Sequence, residues 1–246
     1  MTQPARLVKT FFLLTALAAG LSTACEAKDL SQADAAVVAI AAHTAAGDLT
    51  ALTKSLNAGL DAGLTVNEIK EVLVQLYAYT GFPRSLNGIN TFMKVTQERK
   101  AAGKNDPAGR EASPVPADLN RDDYGARMRA KLAGRAVIPP PAGYQVFAPV
   151  IDTFLKEHLF CDIFIRDNLS HERRELATVG ALAAMTGTAG QMTFHMNAAM
   201  NTGISEGEMK EVVNVIETER GKERAGEASA VLTKVLAARA AKSAQK

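Results

Sequence analysis

The chain has 246 residues, a formal net charge of +2, 5% aromatic residues and no tryptophan. Balanced charge without a basic run argues against nucleic acid as the main partner. The sequence is rich in alanine and has no run of alternating β-branched residues, which predicts packed helices rather than a sheet.

The N-terminal segment has the pattern of a secretory signal peptide. Arg6 and Lys9 give a basic start, and the apolar stretch Thr10 to Leu21 is too short for a spanning helix. We therefore expect residues 1–27 to be a cleaved leader, leaving a periplasmic or secreted protein with no membrane span. An uncleaved anchor is the alternative, and Cys25 leaves a lipoprotein form open.

Most of the remaining chain is predicted to contain one helical unit twice. The segment 30–63 matches the segment 169–203 with one residue inserted, and the amphipathic helix that follows each of them begins in the same way. Two distant copies are too few for a solenoid and favour two halves packed about a pseudo-twofold axis. We assign the first helical repeat to residues 28–100 and the second to residues 146–246.

The two repeats are expected to differ at their ends. The linker 101–145 has Gly- and Pro-rich connectors on either side of one short, exposed helix that crosses between the halves. The first copy contains the turn Gly81-Phe82-Pro83, which the second copy is expected to have lost. The tail that begins at Glu219 is expected to be a surface helix with a frayed end.

The second repeat carries a polar group that the first does not. His195 stands where the first copy has Ser55, and Gln191 precedes it by one helical turn, so both side chains face the same side. Glu175 lies on the preceding helix. On spacing alone, His195 is more often a buried structural histidine and Glu175 an exposed carboxylate paired with Arg174.

Two stretches, "DNLSHERRELATVGALAAMTG" followed by Gln191 and His195, and "YAYTGFPRSLNGINTF", resemble the carboxymuconolactone decarboxylase family. That family shares the alkyl hydroperoxidase D-like fold, and the resemblance implies an all-α protein in a fused, two-repeat form. It also implies a homo-oligomeric ring, a trimer of fused chains, and a pocket at His195 with Tyr77 or Tyr79 as a wall.

The resemblance implies decarboxylase or lactone-type acid–base chemistry on a small carboxylated molecule, without cofactor or metal. His195 would deliver a proton, Glu175 would orient it, and Gln191 would line the pocket. Arg166 is a candidate clamp for the substrate carboxylate, with an ion pair to Asp162 or Asp167 as the alternative. Four scattered histidines give no zinc pattern.

Two other functions stay open. The peroxidase branch of the fold uses a Cys-x-x-Cys motif, whose positions are Thr188 and Gln191 here, so an antioxidant role would depend on Cys161 alone. We expect Cys161 to be a buried, inert thiol. The third hypothesis is a non-catalytic binding or assembly protein of the same fold.

Overall fold

The structure is a computed structural model that describes residues 29–245, and every regular element in that range is helical. The all-α prediction is therefore confirmed, while the predicted leader lies outside the described residues. The elements are α1 (Gln32–Ala46), α2 (Leu49–Asp61), α3 (Val66–Ala101), α4 (Arg121–Leu132), α5 (Tyr144–Phe147), α6 (Pro149–Thr153), a π-helix (Phe154–Ile163), α7 (His171–Ala183), α8 (Ala189–Thr202), α9 (Glu206–Arg220) and α10 (Lys222–Ser243).

The repeat is visible in the order of the helices, because α1, α2 and α3 correspond to α7, α8 and α9–α10. The third helix of each copy begins with a capping box, in which a hydroxyl at the N-cap and a glutamate three residues later bond each other's backbone N–H. These pairs are Thr65–Glu68 and Ser205–Glu208.

The expectation that the second copy has lost the turn of the first is wrong. α3 breaks at Gly81, with φ 76° and ψ 160°, and the chain breaks between α9 and α10 at Gly221, with φ 83° and ψ 170°. Both conformations need a residue without Cβ, so the glycine suffices and the following Phe-Pro is not required.

The tail is also more than a surface helix. α10 corresponds to the part of α3 that follows Gly81, and it buries one face in the main core. The residues on that face are Ala225, Ala228, Val231, Leu232 and Val235.

The two halves share one hydrophobic core. α1 packs along α7, and the contacts between the halves are crosswise, with α1 against α9 and α3 against α7. The close approach of α1 and α7 depends on Gly180, where a Cβ would lie 2.6 Å from the backbone oxygen of Val38. This arrangement is that of two halves related by a pseudo-twofold axis.

The linker helix α4 is half-buried, which corrects the expectation of an exposed helix. It lies against the π-helix so closely that a Cβ on Gly125 would be 1.9 Å from the backbone oxygen of Lys156. A second, smaller core forms there from Met128 and Leu132 of α4, Phe160 of the π-helix and neighbouring apolar residues. Within residues 29–245, no helix is both long and apolar enough to cross a membrane.

Candidate active site

The centre of the candidate site is a buried pair formed by His195 on α8 and Glu175 on α7. The Nδ1 atom of His195 lies 2.7 Å from Glu175 Oε2, and both residues are buried. Nδ1–H donates to the carboxylate in this geometry, which leaves Nε2 as the second ring nitrogen. Nε2 has no hydrogen-bond partner in the described part of the chain and is not fully buried. The structure thus holds one imidazole nitrogen available for proton transfer.

Aromatic rings surround this imidazole. Tyr79 and Phe194 both meet the His195 ring edge-on, at centroid distances of 5.4 Å and 5.0 Å. Phe160 of the π-helix lies behind Phe194, at 6.3 Å between ring centroids. The rings exclude water from His195, which strengthens any electrostatic interaction made there.

Two buried polar atoms beside the imidazole have no partner. The hydroxyl of Tyr79 and the Oε1 atom of Glu175 are both buried without a hydrogen bond among residues 29–245. Burial, and then the charge of Glu175, raise the pKa of Tyr79 far above its usual range. The Tyr79 hydroxyl therefore keeps its proton. Thr178 and Glu175 are near enough to affect its pKa, and the Tyr79 ring contacts the imidazole of His195.

A chain of polar side chains runs along the interface of α3 and α7 towards this pair. Glu71, Gln75 and Tyr79 follow each other at four-residue intervals and so share a face of α3. Arg174 of α7 donates from Nη2 to Glu71 Oε1 and from Nη1 to Gln75 Oε1, at 2.9 Å each. Gln75 in turn donates from Nε2 to the Thr178 hydroxyl at 2.9 Å.

These hydrogen bonds hold α7 against α3 on both sides of Glu175 in the helix. Sequence reasoning missed Gln75, Arg174, Thr178 and the aromatic residues Phe160 and Phe194. The four-residue spacing of polar side chains in an otherwise apolar helix was the signal that could have found the polar ones.

Arg166 does not lie beside His195. Its Nε donates to both carboxylate oxygens of Glu71, at 2.9 Å and 3.0 Å, two helical turns before Tyr79 on α3. The alternative of a pair with Asp162 or Asp167 is wrong as well, because Asp162 pairs with Arg121 and Asp167 pairs with Arg110. The role of Arg166 in these contacts is to tie the segment before α7 to α3.

The other predicted site residues are divided. Tyr79 contacts His195, whereas Tyr77 stacks on Phe82 at 4.5 Å and tilts towards His158 at 5.5 Å. Residues two apart on a helix point to different sides, which explains the separation. Gln191 is exposed in the first turn of α8, one turn before His195.

The sulfur chemistry of the peroxidase branch has no counterpart in this geometry. Thr188 uses its hydroxyl to donate to the Leu182 carbonyl at 2.7 Å. Cys161 is fully buried in the π-helix, where burial and then the charge of Asp162 raise the pKa of its thiol. A raised pKa disfavours the reactive thiolate.

The first copy has no equivalent site. Ser55, at the position of His195, is buried and donates to the Ala51 carbonyl of its own helix at 3.2 Å. Ala36 stands where the second copy has Glu175. The polar centre is therefore a property of the second copy alone.

Comparison with protein-family models gives a match to the carboxymuconolactone decarboxylase family over residues 12–92 and residues 149–234. The two matched regions together cover more than half of the chain and correspond to the two copies. The first match begins inside the segment that the sequence pattern marks as a leader. No curated protein matches the chain.

Proposed function

We propose that this chain, which belongs to the carboxymuconolactone decarboxylase family and carries its domain twice, catalyses an acid–base reaction on a small carboxylated molecule. The reaction is centred on His195. The observation that carries this proposal is the buried Glu175–His195 pair, in which Nε2 has no hydrogen-bond partner among the described residues and the Tyr79 ring packs against the imidazole.

The roles follow from the chemistry of decarboxylating a carboxylated lactone. The carbon–carbon bond to the carboxylate breaks, carbon dioxide leaves, and the electron pair moves onto the lactone carbonyl oxygen as a dienolate. The Tyr79 hydroxyl donates a hydrogen bond to that oxygen. His195, as the imidazolium, delivers the Nε2 proton to carbon, which forms the decarboxylated lactone and leaves a neutral imidazole. Glu175 accepts from Nδ1–H and stabilises the imidazolium form that carries the proton.

Arg166 is engaged by Glu71 and is given no part in binding the substrate carboxylate. Gln191, exposed one turn before His195 on α8, is assigned a contact with the substrate. His195 is only 5% exposed, so a substrate reaches Nε2 when the aromatic side chains around it move aside.

The experiment is a turnover assay with carboxymuconolactone, followed by NMR in deuterium oxide, which reports both loss of carboxylate and deuterium at the protonated carbon. His195→Gln is expected to lower kcat/KM by about 10²–10⁴-fold, the contribution of a general acid–base group. Ser55→Ala is the matched control in the first copy and is expected to change it less than about twofold, because Ser55 bonds only its own helix.

Equal losses in the two variants would contradict the proposal. A large loss of stability in His195→Gln with activity retained would return His195 to a structural role. Absence of turnover with any carboxylated lactone, in a folded wild-type protein, would favour the non-catalytic binding function. Nothing in the geometry favours the peroxidase, and Cys161→Ser is expected to leave turnover unchanged.

Export is a further part of the proposal, supported by the basic and apolar pattern of residues 1–27. Intact-mass measurement of the protein from its native cell tests it. Cleavage between Ala24 and Lys28 is the expected result, a diacylglyceryl group on Cys25 would indicate the lipoprotein form, and an N-terminus at Met1 or Thr2 would contradict export.

Assembly into a homo-oligomer, a trimer of fused chains, is supported by an exposed apolar surface around α5 and α6. Phe147 is 93% exposed, and Tyr144, Val146, Val150, Ile151 and Phe154 are exposed near it in sequence. Phe147→Glu is expected to lower the mass measured by light scattering to that of a monomer, whereas Val115→Glu, on an exposed loop, should not. An unchanged mass for Phe147→Glu would exclude this surface as the interface.

A further inference from the structure

A hollow lined by several cations lies away from His195, between the end of α4, one face of α8 and the last turns of α10. Its volume is about 530 Å³. Three cations line it, Lys234, Arg239 and Lys242, and none of the described residues that line it is acidic. The hollow therefore concentrates positive charge on a protein whose net charge is only +2.

The guanidinium of Arg239 is fixed in place by neutral groups. Its Nη1 donates to Asn197 Oδ1 at 2.7 Å and to Asn201 Oδ1 at 2.8 Å. Asn201 is itself held, since its Nδ2 donates to the Leu132 carbonyl at the end of α4 at 2.8 Å. Gly134 permits this contact, because a Cβ there would lie 2.9 Å from Asn201 Nδ2. The arginine is thus ordered without being neutralised.

Cations near the end of a helix are common because they interact favourably with the helix dipole and with water. That explanation applies to Lys242, in the last turn of α10, but it does not account for all three cations. Arg224, on the same helix, pairs with Glu223 and Glu227, whereas Lys234, Arg239 and Lys242 form no ion pair within residues 29–245. Lys234 also lies more than two turns before the helix end.

We propose that this hollow binds a small multivalent anion, a phosphorylated or polycarboxylated molecule with at least two negative charges. The three cations and the Asn197 amide supply donors, and an ordered guanidinium is suited to bidentate binding of an oxyanion. The apolar part of the lining is aliphatic, from Val235 and Ala238, and offers no aromatic ring on which a nucleobase would stack.

The positive charge continues beyond the hollow. A neighbouring hollow shares Gly134 and is lined by Lys131 and Arg135, together with Arg127, which pairs with Asp123 at 2.6 Å. This extension favours a ligand with several separated charges over a single carboxylate.

The anion site and the candidate active site are separate. Thr193, Asn197 and Asn201 follow each other at four-residue intervals on α8 and line the hollow. His195 lies midway between the first two and points to the opposite side of the helix, towards Glu175. Anion binding in the hollow is therefore independent of the reaction proposed at His195.

The test is isothermal titration of the full chain with pyrophosphate and with citrate, with acetate as the monovalent comparison. Pyrophosphate or citrate is expected to bind one to one and to saturate, and acetate is expected not to bind. Asn197→Asp is the decisive variant: its carboxylate can still accept from Arg239 but cancels that charge, so affinity should fall by at least about tenfold with melting temperature unchanged.

Lys222→Met is the matched control, because it removes one exposed positive charge at the other end of α10. It is expected to change affinity by less than about twofold. Equal losses in Asn197→Asp and Lys222→Met would show general charge attraction and overturn the site. Failure of both multivalent anions to saturate, or undiminished affinity in Asn197→Asp, would overturn it too.

Discussion

The Tyr79 hydroxyl lies close enough to Thr178 and Glu175 for both to affect its pKa. It is buried and lacks a hydrogen-bond partner in the described part of the chain. A buried polar group without a good hydrogen bond costs about 1–3 kcal/mol, and the proposed hydrogen bond to a bound molecule would offset that cost. Removing the hydroxyl therefore distinguishes its effect on stability from its effect on activity.

Tyr79→Phe is therefore expected to leave the melting temperature unchanged or slightly raised, because the ring contact with His195 stays and an unsatisfied group is lost. Turnover of the lactone should fall by about 10²–10³-fold, the usual effect of removing one donor to a developing oxyanion. Thermal unfolding and steady-state kinetics measure the two effects. Full activity in Tyr79→Phe would remove the tyrosine from the mechanism while leaving His195 in place.

Glu71 has the opposite character, since it holds buried charges together. Burial alone would raise its pKa, but the hydrogen bond from Arg166 and the charge of Arg174 outweigh burial and hold the pKa of Glu71 below its usual range. A carboxyl whose folded pKa is depressed stabilises the protein above the unfolded pKa. That contribution disappears as pH falls through the lower, folded pKa.

Glu71→Gln is expected to cost about 3–5 kcal/mol of unfolding free energy at pH 7, because it leaves Arg174 buried without its carboxylate. The variant should also lose less stability than the wild type as the pH falls below the unfolded pKa. Denaturant titrations at several pH values check both. Glu98→Gln is the control, at an exposed pair with Lys94, and should cost less than about 1 kcal/mol. Similar costs for the two variants would contradict a buried structural pair.

For single residues, the sequence predicts those that differ between the two copies, but it does not predict contacts between segments that are distant in the chain. His195 was identifiable because the repeated copy has Ser55 at its position, and Glu175 followed from the resemblance. Arg166 was assigned to the site or to nearby aspartates because local spacing was the only guide. Its partner Glu71 lies 95 residues away in the chain, and only the crossing of α3 and α7 brings them together.

At the scale of helices, the closest contact between the two copies is the crossing of α1 and α7. Gly180 faces the backbone of Val38, where no side chain can move aside to make room. Gly190, in the first turns of α8, has open space around its Cβ position. Substituting each of the two glycines therefore tests whether the close packing of α1 against α7 requires a residue without a side chain.

Gly180→Ala is expected to destabilise the protein by about 1–3 kcal/mol, because the new methyl group forces α1 and α7 apart. Gly190→Ala should be neutral or stabilising by up to about 1 kcal/mol, since alanine is the better helix former. Denaturant unfolding of both variants measures this. If Gly180→Ala is as stable as the wild type, the crossing of α1 and α7 is looser than the structure shows.

The elements themselves were largely predictable, and the exceptions have a physical cause. Capping boxes and apolar periodicity marked the third helix of each copy. The break at Gly221 has no Phe-Pro after it, so the motif of the first copy does not predict it, although Gly81 and Gly221 keep the same spacing as the capping boxes. The charged residues of α4 predict an exposed helix and conceal a small buried face that includes Gly125 and Met128.

At the scale of the whole molecule, the two copies differ in what covers them. In the second copy, the π-helix before α7 packs near Phe194 of α8 and Tyr77 of α3. The corresponding positions on the other side of the pseudo-twofold axis are Lys54 and Glu217, both exposed. That surface is polar, so it is not suited to receive an apolar segment preceding α1.

This difference predicts the outcome of removing residues 1–27, the last test of the molecule's organisation. The family match begins at residue 12, which by itself would make residues 12–28 part of the first repeat. The exposed Lys54 and Glu217 offer no apolar contact at the positions that the π-helix covers in the second copy. A chain that starts at Lys28 is therefore expected to unfold cooperatively, within about 2 °C of the full chain and with the same helical circular dichroism, since a packed segment of that length would contribute several kcal/mol. A markedly lower melting temperature or a broadened transition would mean that residues 12–28 belong to the folded repeat, and would count against their removal as a leader.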